Sequence, residues 1–184
     1  SQDHFRDGAH PHISIEDKVF VETIGGDLTI KIEDNTDSGM GIYEESVEHA
    51  DQSLSDAEVE YAVIGDIIVL KILPYQEKEY RFIVYSHKTK QARRIDALNQ
   101  SCVLLPEDHG IIFPQGYFLQ SGDFKIFDFD FEEIRFEKSI ASPNGEDFLY
   151  VFYNGATGLY TLLIYNLIEQ KLAQPIHCNG YSIF

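Results

Sequence analysis

The feature that most constrains this chain is a regular succession of short apolar runs that are separated by turn-forming residues. Residues 148–153 and 159–165 are apolar and aromatic runs, and the connecting residues 154–158 include an asparagine and two glycines. This pattern predicts a β-hairpin, because Asn and Gly adopt the backbone conformations that tight turns require. Residues 80–85 resemble residues 160–165, so the sequence also predicts an internal repeat.

The same strand pattern extends over the rest of the chain. Residues 18–24 and 27–33 alternate around a Gly-Gly pair, which predicts a hairpin whose Leu28, Ile30 and Ile32 face the core. Many short strands with regular turns predict an all-β fold that is built of repeated antiparallel hairpin and meander units. We expect a propeller-like and incomplete arrangement, with a β-sandwich as the alternative.

The domain organisation follows from the distribution of polar residues. Residues 1–12 are polar and predict a flexible amino-terminal segment, whereas residues 13–184 predict a single β-rich domain. An acidic loop is expected near residues 34–57, and two related units are expected near residues 63–98 and 142–178.

The charge of the chain limits its possible partners. The 184 residues carry a formal net charge of −17, which disfavours contact with nucleic-acid phosphates and with anionic membranes. Only Cys102 and Cys178 are present, and two cysteines in a chain of this size favour two small buried thiols in the reducing cytoplasm. No apolar run approaches the roughly 20 residues that span a bilayer.

One stretch of the acidic segment resembles a calcium-binding loop. Asp34, Thr36, Ser38 and Glu45 fall at positions 1, 3, 5 and 12 of such a loop, and Gly39 falls at its glycine position. The flanking residues are typical of strands rather than helices, so a solvated acidic loop is the alternative.

Other polar groups give weaker signals. Residues 127–133 alternate Phe with acidic residues, which favours an amphipathic strand over a cation site, and a short helix over residues 132–138 is a further possibility. Residues 87–94 form a basic cluster that predicts a solvated hairpin tip, with a local anion contact as the alternative. Asp108 and His109 are neighbours without an assignable nucleophile. The sequence therefore predicts no catalytic, cofactor-binding or assured metal-binding residue.

Several strings of the sequence resemble the amino-terminal region of large bacterial proteins described as DNA-repair ATPases. These strings begin at His10, Lys18, Asp34, Leu105 and Ile140, and they read HPHISI, KVFVETIGGDLTI, DNT, LPEDHG and IASPNGED. The resemblance implies that a P-loop ATPase and long helical segments lie elsewhere in the parent polypeptide. No phosphate-binding Gly-Lys motif occurs in these residues.

Together these observations predict a non-catalytic accessory module that docks or regulates within a large cytoplasmic ATPase. The expected partner is protein, chiefly other parts of the same polypeptide, without nucleic acid, membrane or cofactor. Residues 181–184 form an apolar edge strand that favours self-association. Two alternatives remain open: an enzyme with an acidic cleft, and a calcium-stabilised binding module.

We predict that the isolated chain does not bind duplex DNA, because its charge of −17 repels the phosphate backbone. Fluorescence anisotropy with a labelled duplex at low salt measures this directly. Micromolar binding that weakens steeply with added salt would contradict the prediction.

Overall fold

A computed structural model of the chain confirms an all-β fold made of antiparallel sheets. It describes residues 5–7, 12–24, 27–34, 41–48, 59–74, 76–98, 101–127, 134–173 and 175–179. These residues contain eighteen strands and one 3₁₀ turn, Pro106–Asp108, and none of them lies in an α-helix. A search of the same residues finds no helix with the length and apolarity needed to cross a membrane.

The chain divides into two compact units. Unit 1 comprises Ser1–Asn99 and Phe118–Phe124, and unit 2 comprises Gln100–Tyr117 and Lys125–Phe184. The described strands form four open sheets of four or five strands each. Antiparallel meanders of about this size are the blades of β-propellers. The predicted class of repeated, propeller-like meanders is therefore confirmed at the level of its sheets.

The first sheet of unit 1 has the order β2-β3-β4-β5. Its strands are β2 (His12–Ile15), β3 (Val19–Ile24), β4 (Asp27–Ile32) and β5 (Tyr43–Glu48). The predicted β3–β4 hairpin is present, and Leu28, Ile30 and Ile32 are buried as expected. Strand β5 lies within the segment predicted as an acidic loop, where Val47 is buried and pairs with Leu28.

The second sheet of unit 1 has the order β1-β6-β7-β8-β9. Its strands are β1 (Arg6–Asp7), β6 (Val59–Ile64), β7 (Ile67–Ile72), β8 (Tyr80–Ser86) and β9 (Gln91–Ala97). All six residues of β7 are buried, as expected for a strand that is covered on both faces. Lys71 is buried among them because its ammonium pairs with Glu60 at 3.2 Å and lies over the rings of Phe5 and Tyr80.

The core of unit 1 joins its two sheets. Buried aliphatic residues of β2, β3, β4 and β5 pack in one cluster with buried residues of β6, β7 and β8. The largest fully buried side chain in this cluster is that of Tyr85, which lies near the end of β8. A hydroxyl in this position needs a hydrogen-bond partner, since an unsatisfied buried polar group is costly.

The remaining strands form two further sheets. The third sheet has the order β10-β11-β12-β13, with β10 (Val103–Leu104), β11 (Gly110–Phe113), β12 (Gly116–Leu119) and β13 (Phe124–Ile126). The fourth has the order β14-β15-β16-β17, and β18 pairs with β16 as well. Its strands are β14 (Ile134–Ala141), β15 (Asp147–Asn154), β16 (Leu159–Asn166), β17 (Lys171–Leu172) and β18 (Ile176–Asn179).

The fourth sheet differs from the sequence predictions at two places. The alternative of a short helix over residues 132–138 is wrong from Ile134 onward, because these residues belong to strand β14, which pairs along β15. The sequence of residues 171–176 predicts one strand, but these residues divide between β17 and β18, since Pro175 has no N–H for a continuous ladder. Residues 128–133 and 181–184, and hence the predicted acidic strand and edge strand, lie outside the described residues.

The internal repeat is visible in the backbone. The aligned residues Tyr85 and Tyr165 are each the next-to-last residue of their strands, β8 and β16, and both tyrosines are fully buried. The N–H of His87 donates to Asp66 O at 2.8 Å, and the N–H of Leu167 donates to the oxygen of Glu146 at 2.8 Å. The turn after each strand is thus fixed by the same type of bond.

Gly65 allows a close backbone contact within unit 1. It has a φ of +55° in the turn between β6 and β7, and a Cβ added to it would lie 2.6 Å from the backbone oxygen of Gln120. The same oxygen accepts a hydrogen bond from the N–H of Asp66 at 2.8 Å. A side chain at position 65 would therefore push against the acceptor that holds this turn.

We predict that Gly65→Ala lowers the free energy of unfolding more than Gly145→Ala. Both glycines have positive φ, but nothing lies within 4 Å of a Cβ added to Gly145, so only Gly65→Ala adds a steric clash. The expected difference is about 1–3 kcal/mol in urea unfolding. Equal losses in the two variants would contradict a role for the close approach to Gln120.

Candidate functional site

The clearest polar cluster in unit 1 surrounds a buried carboxylate. Asp34 follows strand β4, and only 4% of its surface is exposed. Its Oδ2 accepts hydrogen bonds from Tyr85 Oη, from Lys90 Nζ at 2.7 Å, and from His87 Nδ1 at 2.6 Å. The three donors all belong to β8 or to the turn that follows it. We call these four residues the Asp34 cluster.

The geometry of the Asp34 cluster fixes the proton position on His87. An ionised carboxylate oxygen such as Asp34 Oδ2 can only accept a hydrogen bond. If Nδ1 carried a lone pair, that lone pair would face the Asp34 oxygen at 2.6 Å without a proton between them. Nδ1 therefore carries the proton and donates it to Asp34.

The hydrogen bonds of the Asp34 cluster keep the carboxylate ionised. Burial raises the pKa of Asp34, but the bonds from Lys90, Tyr85 and His87 outweigh it and hold the pKa well below its usual range. Burial raises the pKa of Tyr85, and the nearby Asp34 carboxylate raises it further, so the phenol stays protonated. The cluster is thus a stable acceptor with three donors.

A second polar network lies on the same two sheets of unit 1. Glu45, on β5, accepts hydrogen bonds from Tyr43 Oη, from Arg81 Nη1 at 2.8 Å, and from Arg94 Nη1 at 3.1 Å. Arg94 also forms a two-pronged pair with Asp96 on the same strand, with distances of 3.1 and 3.0 Å. The basic residues of β8 and β9 therefore bind carboxylates of the neighbouring sheet.

The calcium loop suggested by the sequence divides between these two networks. The carboxylate of Asp34 is bound by Lys90 and His87, and that of Glu45 by Arg81 and Arg94. Thr36 and Ser38, the other two predicted ligands, lie outside the described residues. Within the described part of the chain, no three His, Cys, Asp or Glu side chains gather as a metal site. The calcium loop therefore stays an untested alternative to a solvated acidic loop.

The basic cluster at residues 87–94 is the feature that sequence reasoning underestimated. Lys88 pairs with Asp123 at 3.2 Å, and the guanidinium of Arg93 lies 4.1 Å from the centre of the Phe124 ring. His87 and Lys90 also bind Asp34, so the hairpin tip holds together several segments of unit 1. The only signal in the sequence was the coincidence of one basic run with a long acidic stretch that has no Lys or Arg.

His109, the neighbour of Asp108, contacts a buried tyrosine of unit 2. His109 Nδ1 is 2.8 Å from the hydroxyl of Tyr165, and the two rings meet edge to face. Burial and the nearby Tyr117 raise the pKa of Tyr165 to about 12. The contact satisfies the buried phenol, as Asp34 does for Tyr85 in unit 1. Cys102 and Cys178 are not joined in a disulfide, and both are of intermediate exposure, less buried than predicted.

The fourth sheet, in unit 2, carries a cavity at the end of β16. Its volume is about 470 Å³, within the usual range for ligand sites. The lining combines apolar and polar side chains: Ile164, Leu172, Ala173, Asp147, Asn166, Glu169 and Lys171. We call it the β16 cavity.

A cross-strand row forms the polar side of the β16 cavity. Asn166 pairs in register with Asp147 on β15 and with Lys171 on β17. Its Nδ2 donates to Asp147 Oδ1 at 2.9 Å, and its Oδ1 accepts from the N–H of Glu169 at 2.7 Å. The side-chain amide of Asn166 therefore orients the carboxylate of Asp147 and fixes the turn that carries Glu169.

Comparison with known sequences places the chain in a family. A family described as "ATPase involved in DNA repair" has a sequence profile that matches residues 1–184. The chain belongs to this family. The resemblance to DNA-repair ATPases that the sequence strings suggested is thereby confirmed. No curated protein sequence matches the chain.

Two solved structures are similar in their strands. One, described as the structure of the Dos1 propeller, is 11% identical with a TM-score of 0.34, and the match covers 93% of this chain and 47% of that one. The other, the periplasmic gluconolactonase PpgL of Pseudomonas aeruginosa, is 9% identical with a TM-score of 0.29, covering 91% and 69%. The chain thus spans about half the length of the first structure.

We predict that Asp34→Asn lowers the free energy of unfolding by about 2 kcal/mol, because it removes the negative charge to which Lys90, His87 and Tyr85 donate. Urea unfolding at neutral pH measures the loss. The matched control is Asp123→Asn. This variant removes the carboxylate that pairs with Lys88, which lies in the same turn as Lys90. That pair is half exposed, and its removal should cost less than about 1 kcal/mol.

The pH dependence of the same variant gives a second readout. Because folding lowers the pKa of Asp34, its contribution is fully present above the unfolded value of about 3.9 and is lost as the pH falls further. The difference between wild type and Asp34→Asn should therefore shrink below about pH 4. A difference that stays constant into acid would contradict the role assigned to the ionised carboxylate.

Proposed function

We propose that this chain is a non-catalytic accessory module that docks or regulates within a large cytoplasmic ATPase. Membership of the family described as "ATPase involved in DNA repair" supports the association with an ATPase. The module would act through protein contacts with other parts of the same polypeptide. The formal charge of −17 disfavours direct contact with DNA or with anionic membranes.

The observation that carries this proposal is the use of ionisable residues in unit 1. The carboxylates of Asp34 and Glu45 are each bound by two basic side chains from the β8–β9 region. A general acid or base must be free to exchange a proton with a substrate, whereas these groups hold two sheets together. Their chemistry supports a structural role.

The proposal is further supported by the type of surface that unit 2 presents. The β16 cavity has an apolar floor and a polar rim on a regular sheet, which is the composition of many recognition sites. Ile168 lies in the turn between Asn166 and Glu169 and is 70% exposed. An exposed aliphatic side chain beside such a cavity is suited to contact another protein surface.

We predict that the isolated chain releases no phosphate from ATP above the buffer blank, but binds the remainder of the parent polypeptide. Calorimetry should detect micromolar binding between the two purified pieces, and addition of the chain should change the ATPase rate of the remainder. Turnover by the chain alone that survives repurification would contradict the non-catalytic role. Absence of both binding and any effect on the ATPase rate would contradict docking and regulation.

A further inference from the structure

We propose that the β16 cavity binds a basic side chain, an arginine or a lysine, from a protein segment that docks on unit 2. This inference deepens the proposed docking function and rests on it. The cavity joins an apolar floor to two carboxylates, and a basic side chain has the matching combination of an aliphatic stem and a cationic head.

The apolar floor matches the stem of such a side chain. Ile164 of β16 and Ala173, which follows β17, lie side by side, because the N–H of Ala173 donates to the oxygen of Ile164 at 2.9 Å, and Leu172 also lines the cavity. The volume of about 470 Å³ is larger than one side chain needs, so the cavity can also receive part of the segment that carries it.

The polar rim matches the cationic head. Asp147 is half-buried, and among the described residues only Asn166 donates to its carboxylate, at Oδ1. The carboxylate of Glu169 has no side-chain donor within the described part of the chain and is exposed. Asp147 Oδ2 and Glu169 can therefore accept from a guanidinium or an ammonium, and such charge-assisted bonds are stronger than neutral ones.

The internal repeat shows how this turn differs between the two units. In unit 1, the turn after β8 supplies Lys90 and His87 to a carboxylate of the same unit. Residue 90 aligns with Gln170 in the turn after β16, and both residues have positive φ, of 56° and 52°. Unit 2 thus repeats the turn without its cations, while it presents two carboxylates next to it.

Among the described residues that line the cavity, Lys171 is the one basic residue. Its charge limits the affinity of the cavity for an incoming basic side chain. Its ammonium is exposed, and no described carboxylate lies within ion-pair distance of it. An incoming cation would meet repulsion from Lys171 and attraction from Asp147 and Glu169. Removal of the lysine charge should therefore strengthen binding, an effect opposite to that of removing either carboxylate.

The test is a titration of the chain with a capped tripeptide, acetyl-Leu-Arg-Leu-amide, followed by NMR at the backbone amides of Ile164, Asn166 and Ala173. The control peptide replaces arginine with citrulline, which keeps the shape and removes the charge. We expect saturable shifts at these amides for the arginine peptide, and binding of the citrulline peptide weaker by about fivefold or more.

Three variants distinguish a specific site from general attraction to an acidic protein. Glu169→Gln should weaken binding of the arginine peptide about threefold to tenfold, and Lys171→Met should strengthen it about twofold to fivefold. Glu137→Gln, an exposed position of β14 outside the cavity lining, makes the same charge change and should have no effect. Equal binding of the two peptides, or equal effects of Glu169→Gln and Glu137→Gln, would overturn the proposal.

A second measurement separates this inference from the docking function. The double variant Asp147→Asn and Glu169→Gln is tested for binding to the remainder of the parent polypeptide. Binding that falls at least tenfold supports the cavity as the docking site. Binding at wild-type strength overturns the cavity proposal and leaves the docking function intact. If the wild-type chain does not bind the remainder, docking fails, and the peptide titration still decides whether the cavity takes a basic side chain.

Discussion

Unit 1 depends on the neutralisation of one buried carboxylate. Asp34 follows strand β4 and is buried. Its Oδ2 accepts hydrogen bonds from Tyr85, His87 and Lys90. An isolated carboxylate in that place would be strongly unfavourable, because desolvation of a charge costs several kcal/mol, about enough to unfold a marginal domain. The bonds that offset this cost also join the β2–β5 sheet to the hairpin of β8 and β9. A chain with a charge of −17 thus uses its basic residues where they hold strands together.

The sequence predicted those strands whose pattern is local. The β3–β4 hairpin and the continuously buried β7 follow from alternation and from a nearly continuous apolar run, which neighbouring residues alone determine. Strand β5 was less evident because Glu45 occupies an inward position beside Tyr43 and Val47, and a charge there hides the period of two. Burial of Glu45 is favourable because Arg81 and Arg94, which belong to the other sheet of unit 1, pair with its carboxylate.

Neither polar site could be predicted in the same way, because each joins residues that are distant in sequence. The partners of Asp34 are 51 to 56 residues away, and Asn166 meets Asp147 across 19 residues. The acidic spacing from Asp34 to Glu45 suggested a shared calcium ion, whereas the fold gives each carboxylate its own cations. Spacing along the chain indicates a metal site only when the backbone between the ligands forms a loop around one point.

The two repeats show how one backbone carries two kinds of chemistry. Tyr85 and Tyr165 occupy the same place in their strands, yet the first donates to a carboxylate and the second contacts His109. The following turns share a backbone bond and a positive φ near the end. Because the turn geometry is set by the backbone, its side chains are free to differ. In unit 1 they close the turn onto Asp34, and in unit 2 they border the β16 cavity.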